Sequence, residues 1–173
     1  MAAKPISYGF FSCLQKRFAE RDVRIGVFGL SKEGLRLAVR QAESGFHVSC
    51  FDFRDYRLDM VRRGISFTRN ISDSELSGLV RRGLVSATDD FHRIKDLDFL
   101  AICIPEEESM KPGCYNITDI SKIIGRHMSA GLIIGFEDLE KAERLKNGVE
   151  DILKSSGFRN SEDYLFGAIT KRG

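Results

Sequence analysis

The 173-residue sequence predicts one α/β domain: a doubly wound, mostly parallel sheet of about six strands with helices on both faces. Three observations predict it. Short apolar runs alternate with helical patterns along nearly the whole chain. A turn bounded by Gly29 and Gly34 joins the first of these runs to the first amphipathic helix. Asp52, an acid, ends the next run, 23 residues after Gly29.

Residues 1–22 read as an extension. Phe10, Leu14 and Phe18 recur every four residues and line one face of a helix, packed on the domain edge or offered to a partner chain. The domain proper is expected over 23–173. Val23 to Leu30 is a short apolar run ending in glycine, a buried strand. From Gly34 onward, Leu35, Ala38, Val39 and Ala42 mark a helical face, and Gly45 serves as a C-terminal stop. Phe46 to Asp52 is the second strand. A helix follows over about 55–63 and stops at Gly64. Ser72 opens another, with Glu75 three residues on as a capping box. Strands are expected over 84–88, 98–104, 132–136 and 164–169. Helices are expected from Asn116 or Thr118, through Ile120, Ile123 and Ile124, and over 139–154.

The charge balance excludes some function classes. With 27 basic against 25 acidic residues, the net charge of +2 gives no electrostatic footprint for nucleic acid or an anionic membrane. No apolar run approaches the roughly 20 residues needed to span a bilayer. The four cysteines, Cys13, Cys50, Cys103 and Cys114, form no C-x-x-C pair and have no histidine at metal-ligand spacing, so no metal site is expected. Cys50 and Cys103 lie in apolar runs, where a thiol acts as a small hydrophobe. A reducing, cytoplasmic setting fits that usage.

The segment Gly29-Leu30-Ser31-Lys32-Glu33-Gly34 carries the chemistry. It lies where a strand turns into a helix, the place of the dinucleotide fingerprint G-x-G-x-x-G of Rossmann-type folds, here written G-x-S-x-x-G. Gly29 makes the tight turn, and Gly34 lets helix and strand pack closely. A pyrophosphate rests on the helix N-terminus, where free N–H groups and the helix dipole favour an anion. Ser31 departs from the pattern: its Cβ intrudes, while its hydroxyl is a donor for a phosphate oxygen. Glu33 opposes an anion and Lys32 offsets it. Asp52 matches the acid that accepts hydrogen bonds from the adenosine ribose, which favours NAD over NADP. Its alternative role is that of a helix-capping acid. Arg54 and Arg57 soften the preference, because a guanidinium holds a 2′-phosphate. Cys103-Ile104-Pro105 ends the fourth strand at the rim where open α/β sheets bind ligands.

These residues resemble the N-terminal NAD-binding domain of the UDP-glucose/GDP-mannose dehydrogenase family over about 23–170. Ile25 to Leu35 resembles the family's opening strand and G-L-G-Y-V-G-L turn. Phe51-Asp52 with Arg57 resembles its acid and basic pair at the adenosine ribose. Ser86 to Phe91 resembles its A-T-x-D-F segment, and Cys103-Ile104-Pro105 the start of its C-V-P-T-P loop. Ser156-Gly157-Phe158 through Tyr164 resembles the segment after the next helix. Glu106-Glu107 replaces Thr-Pro, and Gly135 to Asp138 replaces S-T-V-x-P-G-T.

The resemblance implies an NAD(H)-binding domain with cofactor contacts at Gly29, Leu30, Ser31, Lys32, Glu33, Gly34, Asp52, Arg57, Cys103, Ile104 and Pro105. The family oxidises a nucleotide sugar by two hydride transfers to NAD through a cysteine thiohemiacetal. Its catalytic thiol, lysine and sugar-binding residues lie in a second domain that these residues do not include. No catalytic residue is therefore expected here, and the domain is expected to be inactive alone; none of the four cysteines, Cys114 included, matches the family's thiol. Two alternatives stay open: the cofactor half of a split dehydrogenase completed by a separate catalytic chain, and an interaction protein that kept the fold and lost the nucleotide. The Phe10 stripe also permits a homodimer.

Overall fold

A computed structural model of the chain describes residues 8–104, 117–136, 139–157 and 164–168. The elements run α1 (Tyr8–Ala19), β1 (Arg24–Phe28), α2 (Lys32–Glu43), β2 (His47–Phe51), α3 (Asp55–Arg62), α4 (Asp73–Arg81), β3 (Val85–Thr88), a 3₁₀ helix (Phe91–Asp96), β4 (Phe99–Ile102), α5 (Ile117–His127), β5 (Leu132–Phe136), α6 (Leu139–Ser155) and β6 (Tyr164–Ala168). The six strands form one sheet in the order β3-β2-β1-β4-β5-β6. Every pairing is parallel, with Val27 opposite Cys50 on one side and Ala101 on the other. The expected doubly wound α/β architecture is the one found.

Alternation along each strand divides the core in two. Ile25, Val27, Val48, Cys50 and Ala101 face α2, α3 and α4, meeting Leu35, Ala38, Leu58, Val61 and Leu76. Phe28, Phe51, Leu100, Ile102 and Ile134 face the other way, onto Ile94, Ile120, Ile124, Val149 and Leu153. Strands buried on both faces must be apolar throughout, which is why β1 and β4 read as continuous runs.

Helix ends follow local chemistry. Ser72 accepts the Glu75 N–H at 3.2 Å while the Glu75 carboxylate accepts the Ser72 N–H, so α4 starts at the predicted capping box. After α2, Gly45 adopts φ +92, a left-handed turn that favours glycine. The N-terminal stripe packs on the domain: Leu14 is buried, and the Phe18 ring lies 4.8 Å from that of Phe46, tilted by 41°. Arg17 forks onto Asp98, with Nη1–Oδ1 2.6 Å and Nη2–Oδ2 2.9 Å, fixing α1 at the amino ends of β1 and β4. The 3₁₀ helix is absent from the sequence expectation, since six residues carry no readable period.

Strand order reverses direction between β1, which leads outward to β2, and β4, which leads to β5. In open α/β sheets such a switch point marks the ligand crevice, here beyond the carboxyl ends of β1 and β4. Among the described residues, Gly29 and Cys103 meet there.

Candidate functional site

Gly29 leaves β1 at φ +100, and a Cβ there would lie 2.5 Å from the Cys103 carbonyl oxygen. Only glycine fits both constraints. Its N–H donates to the Phe51 carbonyl at 2.9 Å, tying the turn to the end of β2. A Cβ on Gly34 would overlap the Gly29 carbonyl oxygen and come within 3.2 Å of the Cys103 Cβ. The first and third glycines of the turn therefore do the packing work that the pattern demands, and α2 begins directly against β1 and β4.

Ser31 sits at φ −75, ψ 176, ordinary extended backbone, so no glycine is needed there for conformation. Its Oγ accepts the Gly34 N–H at 2.9 Å and caps α2. The backbone N–H groups of Lys32 and Glu33, the first two residues of the helix, have no acceptor among the described residues. Both side chains are exposed, and Ser31 is buried. The turn thus presents two backbone donors at the positive end of a helix dipole.

Asp52 follows β2 and is fully buried. Its Oδ2 accepts the Leu30 N–H at 2.6 Å and Arg54 Nη2–H at 2.9 Å. Its Oδ1 accepts the Arg54 backbone N–H at 2.8 Å and Arg54 Nε–H at 3.0 Å. The acid expected to read a ribose is thus joined to the turn and forked by Arg54. Sequence reasoning put Arg54 near the site; its grip on the carboxylate depends on a rotamer that no spacing reveals.

Arg57 donates from Nη1 to the Leu30 carbonyl and lies 4.9 Å over the Phe67 ring. It thereby holds the turn at Leu30. Cys103 is buried, its N–H donating to the Phe28 carbonyl at 2.8 Å, and Ile104 is half-buried beside it. Pro105 and Glu106 lie outside the described residues.

One feature of the rim escaped sequence reasoning. Phe91, at the start of the 3₁₀ helix, stacks on Phe28 at 5.5 Å and 3°, and meets Phe53 at 4.9 Å. Phe53 follows Asp52 directly and is 37% exposed, so an aromatic shelf flanks the acid. The available signal was the pair of phenylalanines one residue past each strand-end acid, Asp52 and Asp90.

Burial, aided by the charge of Asp52, pushes the Cys50 thiol up to about 12, which keeps it protonated. No cluster of three or more His, Cys, Asp or Glu side chains suited to a metal occurs among the described residues. A cavity of 570 Å³ lies far from the turn, at the amino ends of β1 and β2, lined by Arg21, Arg24, His47, Ser49 and Arg93. The switch-point crevice has the stronger claim, because the glycine turn and the helix N-terminus converge there. No described helix is long and apolar enough to cross a membrane.

No family model matches the chain. It is 27% identical over 119 residues to UDP-glucose 6-dehydrogenase YwqF of Bacillus subtilis, a match spanning 65% of this chain and 26% of the relative. Its fold superposes on NDP-N-acetyl-D-galactosaminuronic acid dehydrogenase of Methanosarcina mazei with a TM-score of 0.70 and 23% identity, over 90% of this chain and 36% of that one. GDP-mannose dehydrogenase of Pseudomonas aeruginosa superposes with a TM-score of 0.70 and 22% identity, over 84% and 35%. The chain is thus similar to nucleotide-sugar dehydrogenases, in sequence and in fold, and spans about a quarter to a third of their length.

Proposed function

We propose that this chain binds a nicotinamide dinucleotide, NAD(H), at the switch-point crevice, as the cofactor domain of a nucleotide-sugar dehydrogenase-like protein. The observation that carries it is the Gly29–Gly34 packing: a Cβ at either glycine would collide with backbone, and the result is a bare turn under a helix N-terminus. The backbone donors of Lys32 and Glu33 fit a pyrophosphate. Asp52 is the acid assigned to the adenosine ribose, and Phe53 with Phe91, their rings tilted 52° to each other, offers an apolar wall beside it. Bound NAD would supply hydride exchange at its nicotinamide ring; this chain's residues would hold and orient it.

None of the described side chains is assigned a catalytic role. The reacting thiol and the sugar-binding residues are assigned to a sugar-binding part outside these residues, as the family resemblance implies, and a separate catalytic chain is one source of it. A homodimer and a cytoplasmic location complete the proposal.

Isothermal titration with NADH tests it. Saturable binding at one site per chain supports the reading, and absence of heat with NAD, NADH, NADP and NADPH overturns it. The second reading, a fold kept for interaction after loss of the nucleotide, is favoured by one observation: the ribose acid is wholly buried under its own arginine. Such a protein would give no heat with any of the four.

A further inference from the structure

Arg54 breaks a local rule. It occupies the N-cap position of α3, yet its side chain makes no cap hydrogen bond. A cation at a helix N-terminus meets the positive end of the dipole, where Ser, Asn or Asp is preferred. The compensation is the fork onto Asp52, Nε to Oδ1 at 3.0 Å and Nη2 to Oδ2 at 2.9 Å. A local violation offset by a specific contact is the mark expected of a functional residue.

The fork has a consequence for the ligand. A carboxylate offers about four lone-pair directions. Leu30 N, Arg54 N, Arg54 Nε and Arg54 Nη2 already fill four on Asp52, and the side chain has no exposed surface. A ribose diol reaches the carboxylate only after the guanidinium leaves. A ribose 2′-phosphate needs no such vacancy, because its own oxygens accept from the guanidinium.

We infer that Arg54 is the residue that sets this site's choice between the plain and the 2′-phosphorylated dinucleotide, acting as a latch on Asp52. The inference rests on the dinucleotide reading proposed for the crevice. With the latch closed, the plain dinucleotide binds only to the fraction of molecules in which Arg54 has swung off Asp52, and its apparent affinity falls by that fraction. The 2′-phosphorylated form draws the guanidinium onto itself. Arg54 is thus a selectivity switch whose removal strengthens binding of NADH, whereas removal of a residue that contacts the ligand would weaken it.

The test is fluorescence titration of the full chain with NADH and NADPH, for wild type, Arg54→Ser and Arg54→Lys. Serine restores a preferred cap to α3 and removes the fork; lysine keeps a charge for a 2′-phosphate but cannot grip both carboxylate oxygens. The expected result is an NADH affinity raised about tenfold in Arg54→Ser, with NADPH weakened. The NADH-to-NADPH preference then moves by more than tenfold. Arg54→Lys raises NADH affinity while keeping NADPH near the wild-type value. Should Arg54→Ser fail to fold, Arg54→Lys decides the matter alone. NADH affinity that falls or stays level in folded variants, with an unchanged preference, overturns the latch and leaves the dinucleotide reading intact. Absence of binding by either nucleotide in all three proteins overturns both.

Discussion

The Asp52 carboxylate accepts the Leu30 N–H at 2.6 Å, so the end of β2 holds the turn that succeeds β1. The same carboxylate is forked by Arg54, and Arg57 one helical turn on donates to the Leu30 carbonyl. Three residues of one short segment, 52–57, therefore brace the glycine turn from the side. The turn is built rigid before any ligand arrives, which is the condition for anion recognition by backbone N–H groups.

Removing the Asp52 charge tests that bracing. Asp52→Asn removes the carboxylate that the Arg54 guanidinium forks in a part-buried position. Breaking such a pair costs about 3–5 kcal/mol. Urea unfolding should show a loss in that range without nucleotide present, and NADH affinity should drop as well. A loss confined to nucleotide affinity would mean that Asp52 contributes nothing to the fold.

The Gly29–Gly34 contact predicts losses in both stability and binding. Gly34→Ala forces a methyl group into the Gly29 carbonyl oxygen and must push α2 away from β1. Overpacking of this kind costs about 1–3 kcal/mol. Thermal unfolding should report that cost, and NADH binding should be abolished because the Lys32 and Glu33 donors shift with the helix.

Most of this architecture was legible in the sequence, for physical reasons that also mark its limits. β1 and β4 were readable because burial on both faces demands unbroken apolar runs, and α4 because Ser72 and Glu75 must cap each other. Gly29 and Gly34 were readable because no other residue fits where backbone meets backbone. The 3₁₀ helix at Phe91–Asp96 was not, since one irregular turn has no period to detect. Nor was the Asp52 fork: adjacency in sequence shows that Arg54 is near, but only the rotamer decides whether it covers the acid or faces solvent. Ser31 belongs between these cases. Its type signals a cap, and its use as one was hidden by its place in a glycine pattern.

Ser31 separates capping from ligand approach. Ser31→Ala removes the acceptor for the Gly34 N–H and should cost about 1 kcal/mol; Ser31→Gly should cost only a few tenths. The glycine variant also clears the Cβ from the turn. Calorimetry should find NADH bound more tightly by Ser31→Gly than by wild type. Weaker binding by the glycine variant would mean that the hydroxyl itself holds the phosphate.

Acid should loosen the face of the sheet that carries Phe91. His92, one residue on from it, stands 4.4 Å from His127 at the end of α5. Burial holds the His127 imidazole below its ordinary value, helped by the neighbouring charges of His92 and Arg126 and opposed by Asp90. A folded value below the unfolded 6.5 means that the stabilisation is full above pH 6.5. It is lost as pH falls through the lowered folded value. Unfolding midpoints measured from pH 7.5 down to 5 should decline, and His92→Gln should flatten that decline. An unchanged slope in His92→Gln would remove the pair from the account.

The central claim is that the backbone donors opening α2 hold the pyrophosphate of a nicotinamide dinucleotide. Amide ¹H–¹⁵N spectra recorded during an NADH titration test it most directly. The largest shifts should fall on Lys32 and Glu33, with smaller ones at Leu30, Phe53 and Phe91. Saturating shifts confined to residues around the cavity at Arg24, His47 and Arg93, with Lys32 and Glu33 unmoved, would contradict it.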